Sequence, residues 1–220
     1  MPPVMGFRVV CISYTDGAGA EPVGHRVADQ LGYRYVNEEI ILEASRMARV
    51  DPALVTAAEK KQSFFDRLLD SLASAQQTLG PAALAAGFAV PIVPEVTTTR
   101  PADKEDLRTL IRAVIHEVGK QGNAVIAAHA ASLALAGRSG VMRVLLTAPD
   151  DVRARRIATE RGLSQEDAAE AIARGDSGRR EYLRTFYEVD DESPTRYDVV
   201  LNTEVLTAEQ AASIIVTVAR

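Results

Sequence analysis

The chain has 220 residues, 47% of them apolar and 25% charged, and a formal net charge of -5. That fits one large domain, or one domain with a smaller insertion, whose core rests on Leu, Ile, Val and Ala because aromatics are 5% and Trp is absent. The acidic balance argues against a nucleic-acid partner, the single Cys11 excludes an intramolecular disulfide and a thiolate metal cluster, and neither a signal peptide nor an apolar run of ~18 residues is evident, so a cytoplasmic protein without a membrane partner is expected.

The first element is "FRVVCIS", apolar nearly throughout, as a strand covered on both faces should be. Cys11 lies within it and is expected to be a buried spacer. The small-residue turn "TDGAGA" follows, and then a helix in which Val23, Val27 and Leu31 form one apolar stripe. Pro22 suits its first turn, where a missing N–H costs nothing, and Gly32 stops it. "YRYV" is a short second strand.

"NEEIILEASRMARV" reads as a helix capped by Asn37, Asp51 and Pro52 open a second helix, and "SFFDRLLDSLASAQQ" is a third. Residues 79–103 lose periodicity, which in a compact domain suits a functional lid or a mobile segment, and in a kinase of another small phosphorylated substrate they would form the acceptor pocket. Residues 37–103 thus form a helical insertion. The helices around residues 53–77 offer a surface for a homodimer.

Order returns with the helix "KEDLRTLIRAVIHEVGKQG" and the strands within "NAVIAAHAA" and "VMRVLLTAP". "DDVRARRIATERG" is the next helix. Ser164 caps "QEDAAEAIA", with Asp167 completing a capping box, and "REYLRTFYEVD" continues as helix. "YDVVLNT" is the last strand, and Thr207 caps the final helix "AEQAASIIVTVA". Strands alternating with helices predict an α/β fold with a mostly parallel sheet, helices on both faces, and ligands beyond the C-terminal strand ends.

Two features carry chemistry. Set against G-x-x-x-x-G-K-[ST], residues 14–21 match only at Gly19, and neither the lysine nor the hydroxyl residue is present. The layout of strand, glycine turn and helix N-terminus still suits an anion held by backbone amides, while Glu21 opposes it. A plain tight turn remains equally open on these residues. The second feature is arginine-rich: Arg153 and Arg156 share a helix face, Arg161 lies beyond them, and "DSGRREY" adds Asp176, Arg179 and Arg180. Planar guanidiniums suit phosphate, and phosphoryl transfer needs charge neutralised on the moving group. A solvated helix face is the alternative.

Four blocks in order, "VVCISYTDGAGAEPVGHRVADQLGYRYVNEEIILEAS", "IRAVIHEVGKQGNAVIAAHAA", "VMRVLLTAPDDVRARRIATERGLSQEDAAEAIARGDSGRREYLRTFYEVD" and "YDVVLNT", resemble the cytidylate kinase-like family, a branch of the P-loop nucleoside monophosphate kinases. The resemblance spans residues 7–216. It implies one P-loop kinase-like domain over residues 1–220, with a parallel five-stranded sheet, a monophosphate-binding insertion at 37–103 and an arginine-rich lid at 150–190. It also implies ATP with Mg²⁺ and phosphoryl transfer to CMP or dCMP.

By resemblance, Asp16, Gly17, Ala18, Gly19, Ala20 and Glu21 form the phosphate loop. Ala20 stands at the lysine position of true cytidylate kinases, and Glu21 and Pro22 at their Gly-Thr or Gly-Ser. Related loops of the "GSGGRE" type also lack the lysine, but this chain lacks their arginine as well. Arg153, Arg156 and Arg179 take the catalytic role of stabilising the transferring group, and Arg161 belongs with the nucleotide. Asn37, His129 and Asp176 fall on the acceptor side; relatives often carry Asp for Asn37, and Gly-Arg for Ala128 and His129. Two alternatives stand beside the kinase: a catalytically impaired nucleotide sensor or scaffold, and a kinase of another small phosphorylated substrate.

Overall fold

In the computed structural model, the described residues are 6–37, 104–128, 130–190 and 192–220. Two compact units are present, residues 1–35 with 118–220, and residues 36–117. The helices expected between residues 38 and 77, and the aperiodic stretch 79–103, lie outside the described residues.

The strands are β1 (Val9–Tyr14), β2 (Arg34–Asn37), β3 (Ala124–Ala127), β4 (Val141–Thr147) and β5 (Val199–Asn202), and they form one sheet in the order β2-β3-β1-β4-β5. β1 pairs in parallel with β3 on one side (Val9 opposite Ala124) and β4 on the other (Val9 opposite Val141), and β4 pairs in parallel with β5. β1 is therefore central, and Val9 to Ser13 are all buried. This explains its unbroken apolar character, since both faces are covered.

The helices are α1 (Ala20–Leu31), α2 (Lys104–Gln121), the single turn α3 (Ala131–Ala134), α4 (Asp150–Arg161), α5 (Gln165–Tyr187) and α6 (Ala208–Ala219), with a 3₁₀ turn at Pro194–Arg196. Val10 and Ile12 of β1 join Val125, Met142, Val144 and Leu146 beneath Val23 and Val27 of α1 and Ile215 and Val216 of α6. The stripe expected on α1 is thus the stripe it buries. Gly32 ends α1 at φ 68°, a conformation that costs glycine little. Cys11 is fully buried, and that burial raises its thiol pKa to about 12, as expected of a spacer.

The capping box expected at Ser164 forms only in part, whereas the cap expected at Thr207 is present. Ser164 does cap α5, accepting the Asp167 N–H at 3.1 Å, but the Asp167 carboxylate accepts from the Ser164 hydroxyl (2.6 Å) in place of the backbone N–H. The short Asp side chain makes a partial box. The reciprocal box forms instead at α6, where Thr207 and Gln210 each accept the other's backbone N–H (3.2 and 2.9 Å). The sequence "QEDAAEAIARGDSGRREYLRTFY" is one uninterrupted helix of 23 residues that runs through Gly175 and Gly178. Ala154 and Ile157 of α4 pack on its Ala168 and Ile172.

Candidate functional site

The loop Thr15–Gly19 leaves the C-terminal end of β1 and delivers the chain to the N-terminus of α1. Gly17 and Gly19 have φ of 80° and 75°, so the turn depends on residues without a Cβ. Gly17 is also pressed against α4: a Cβ there would stand 2.8 Å from the Arg153 carbonyl oxygen and 2.9 Å from its Cα.

Three successive loop carbonyls are held on one side. Arg153 Nη1 donates to the Asp16 carbonyl (3.1 Å), Arg156 Nη1 to the Gly17 carbonyl (3.1 Å) and Thr203 Oγ1 to the Ala18 carbonyl (2.9 Å). In a trans peptide the N–H points opposite to the preceding C=O. The amides of Gly17 and Ala18 are consequently turned away from the two arginines, and that of Gly19 from Thr203. The Ala18 N–H closes a turn on the Thr15 carbonyl (2.9 Å). Beyond it, the amides of Ala20 and Glu21 sit in the first turn of α1, where no intrahelical acceptor exists and the helix dipole favours an anion. The Thr15 hydroxyl oxygen is buried there without a hydrogen-bond partner among the described residues.

The arginine face is built into the interior. Arg153 is 2% exposed. Its Nη1 and Nη2 donate to Asp176 Oδ1 (3.0 Å) and Oδ2 (2.6 Å), a bidentate pair, and Nη2 also reaches Asp150 Oδ1 (2.9 Å). Burial alone pulls its pKa down, but the bonds to Asp176 and Asp150 outweigh this and hold it above its ordinary value. Arg156 spends Nη1 on Thr203 Oγ1 (3.0 Å) as well as on the loop, and Nη2 on the Thr203 carbonyl (2.6 Å). The Asp16 carboxylate lies against α5, within 3.0 Å of where a Cβ on Gly175 would stand.

A second buried cluster lies farther along α5. Arg179 donates to Glu192 Oε2 through Nε (2.8 Å) and to Oε1 through Nη2, and the Tyr197 hydroxyl donates to Glu192 Oε1. Burial and the adjacent Glu192 carboxylate raise the Tyr197 phenol well above its usual range. Under β1, the Ser13 hydroxyl donates to that of Ser132 (3.0 Å).

The residues singled out from sequence therefore fall into groups. Asp16, Gly17, Ala18, Gly19, Ala20 and Glu21 form the loop and helix start, and Arg153, Arg156 and Asp176 converge on its far side. Arg179 sits in the Glu192 cluster. Arg161 is exposed at the last residue of α4, eight residues past Arg153 or roughly 12 Å along the helix. Ala20 is only 6% exposed and packs in the main core, whereas Glu21 is exposed. Asn37 is the last residue of β2. His129 lies outside the described residues. Thr203, Asp150, Glu192 and Tyr197 were not anticipated. Only Thr203 carried a signal, a polar residue immediately after the last strand, at the edge where ligands bind.

No group of three or more His, Cys, Asp or Glu able to hold a metal stands among the described residues. A Mg²⁺ ion needs no such group, because it is commonly held by substrate phosphates, waters and one or two carboxylates. Among the described residues, no helix is long and apolar enough to cross a membrane.

The sequence model of the cytidylate kinase-like family matches residues 9–205. A cytidylate kinase from Ignicoccus hospitalis is 29% identical over 201 residues, 91% of this chain and 92% of that protein. One from Sulfolobus acidocaldarius is 32% identical over 98 residues, 44% of this chain and 53% of that protein. A crystal structure of an uncharacterized protein from Eubacterium ventriosum shares the fold, with a TM-score of 0.64 at 14% identity, covering 95% of this chain and 96% of that one.

Proposed function

The chain belongs to the cytidylate kinase-like family, whose members bind nucleotides and transfer phosphoryl groups, and on that premise we propose an ATP-dependent kinase acting on a nucleoside monophosphate of the CMP or dCMP type. The observation that carries this reading is the loop whose carbonyls are fixed by Arg153, Arg156 and Thr203, leaving the amides of Gly17, Gly19, Ala20 and Glu21 for the nucleotide's β-phosphate. The amides and the α1 dipole replace the absent lysine as the source of positive potential. Arg153 and Arg156 are then positioning residues in the nucleotide-free protein, and Asp176 orients Arg153. Arg179 is the lid arginine that exchanges Glu192 for the transferring phosphoryl group. Arg161 flanks the nucleotide, and Asn37 and His129 belong to the acceptor side.

In the reaction, a phosphate oxygen of the monophosphate forms a bond to the γ-phosphorus of ATP while the bond from that phosphorus to the bridging oxygen of ADP breaks. ADP leaves with the bonding electrons, and a nucleoside diphosphate is released. Mg²⁺ bound with ATP would supply charge neutralisation for the transferring group. The chain's own residues hold the phosphate rigidly, and rigid placement is the larger share of catalysis in this chemistry.

A second reading, a nucleotide sensor with weak or no transfer, is favoured by the same arginines. Arg153 and Arg156 already spend their Nη donors on protein acceptors. Incubation with γ-labelled ATP, Mg²⁺ and a panel of CMP, dCMP, UMP, AMP and GMP, with calorimetry of ATP binding alongside, separates the two. Label in CDP or dCDP is the expected result. Binding without transfer to any monophosphate would leave the sensor, and absence of both would remove both readings.

A further inference from the structure

At the opposite end of β1, a recess of about 300 Å³ opens where the strand begins. Its walls include Arg8, Lys120 and Arg138, together with Ser139 and the glycines 122 and 140, and no carboxylate among the described residues lines it. We propose that this recess is a second anion site, for a polyphosphate group the size of pyrophosphate, separate from the loop at the other end of the strand. β1 is six residues long, so the two sites stand roughly 20 Å apart.

The recess exists because glycines line it. A Cβ on Gly122 would stand 3.1 Å from Nε and Nη2 of Arg8, so the Arg8 guanidinium lies directly over a bare backbone. Gly122 and Gly140 both have φ of 74°, which disfavours their replacement by larger residues. Arg8 is anchored at its root and at one nitrogen: its backbone N–H donates to the Gly140 carbonyl (2.8 Å), and Nη2 to the Gln121 carbonyl (3.1 Å). That leaves Nε and Nη1 as oriented donors. Lys120 is exposed and pairs with no carboxylate among the described residues. The Ser139 hydroxyl adds a neutral donor.

The opposing field is the C-terminal end of α2, where Gln121 lies. A helix end carries about half a negative charge, and Arg8 already caps one of its carbonyls. Arg8, Lys120 and Arg138 set positive charge against that half charge, in a chain whose formal net charge is -5. The volume is at the small end for ligand pockets, which span about 300–1,000 Å³. It suits a polyphosphate group and not a whole nucleotide.

The test is an amide NMR titration of the full-length chain with inorganic pyrophosphate, without Mg²⁺. Saturable shifts at the amides of Gly122, Ser139 and Gly140 are expected. They should weaken at least tenfold in Lys120→Glu/Arg138→Glu, while the shifts at Gly17 and Gly19 of the loop are unchanged. Should the double variant not fold, Lys120→Gln alone is expected to weaken the recess about threefold, since Lys120 is exposed and pairs with no carboxylate among the described residues. Shifts confined to Gly17 and Gly19, or recess shifts that survive charge removal, would overturn the site. A parallel arm with ATP names the source: saturation by both ligands points to the tail of a nucleoside triphosphate, and saturation by pyrophosphate alone to the free anion.

Discussion

Arg153→Met separates the stability of the fold from the bracing of the loop. Arg153 is 2% exposed and bidentate to Asp176, whose side chain is 24% exposed, whereas Asp150 is 88% exposed and its bond is largely screened. Removing the guanidinium strands the Asp176 carboxylate in a mostly buried position, and breaking one side of a buried pair costs about 3–5 kcal/mol. Because water still reaches part of Asp176, we take the lower end, about 3 kcal/mol, which lowers Tm by roughly 6–12 °C for a domain of this size. Arg153→Met/Asp176→Leu removes both charges and should return to within about 1 kcal/mol of the parent. The Asp16 carbonyl, however, has lost its donor in both variants. ATP affinity measured by calorimetry should therefore stay about tenfold weaker in the double variant despite its recovered Tm. Recovery of both quantities together would refute the brace, as would a single variant whose Tm does not move.

Other consequences of the same geometry are open to measurement. Gly17→Ala forces a Cβ onto the Arg153 backbone at 2.8 Å, whereas Gly19→Ala meets nothing within 4 Å and bears only the left-handed backbone cost of about 1–2 kcal/mol; thermal melts should show the larger loss at Gly17, and equal losses would mean that the loop does not press on α4. Glu21 is an exposed carboxylate in the first turn of α1, and removing a like charge near a phosphate is worth about 1 kcal/mol in a water-like medium. Glu21→Gln should then tighten ATP binding about fivefold and Glu21→Arg further, and calorimetry finding no gain would count against phosphate binding at this helix end. Asp198 accepts from Arg143 (2.8 Å), and these bonds hold its carboxyl below the ordinary carboxylate range. Its contribution to stability is complete above the unfolded carboxylate value of about 4 and is lost as pH falls through the lower folded value. The Tm difference between parent and Asp198→Asn should shrink below about pH 4; a difference independent of pH would contradict the pairing.

The sheet was legible because its central strands are covered on both faces and so read as continuous apolar runs, and α1 because its apolar stripe and Gly32 stop agree with its burial. The arginines were legible as residues on one helix face, but their acceptors were not. Arg153 meets the Asp16 carbonyl across 137 positions of sequence, and Thr203 meets the Ala18 carbonyl across 185. Backbone carbonyls have no letter in a sequence, so a guanidinium aimed at one looks the same as one aimed at solvent or at phosphate. The partial cap at Ser164 has a local cause, the shortness of Asp167. Helix α5 continues through Gly175, a position with little room for a Cβ because the Asp16 carboxylate lies against it, and sequence alone offers only a helix-weakening residue there.

A crystal structure of the full chain with ATP, Mg²⁺ and CMP decides whether the loop amides hold the β-phosphate. The expected result is β-phosphate oxygens within hydrogen-bond distance of the Gly19 and Ala20 amides, with the guanidiniums of Arg153 and Arg156 still bonded to the Asp16 and Gly17 carbonyls behind them. A nucleotide whose phosphates are held away from residues 17–21, or arginines that release the loop to take the β-phosphate themselves, would contradict it.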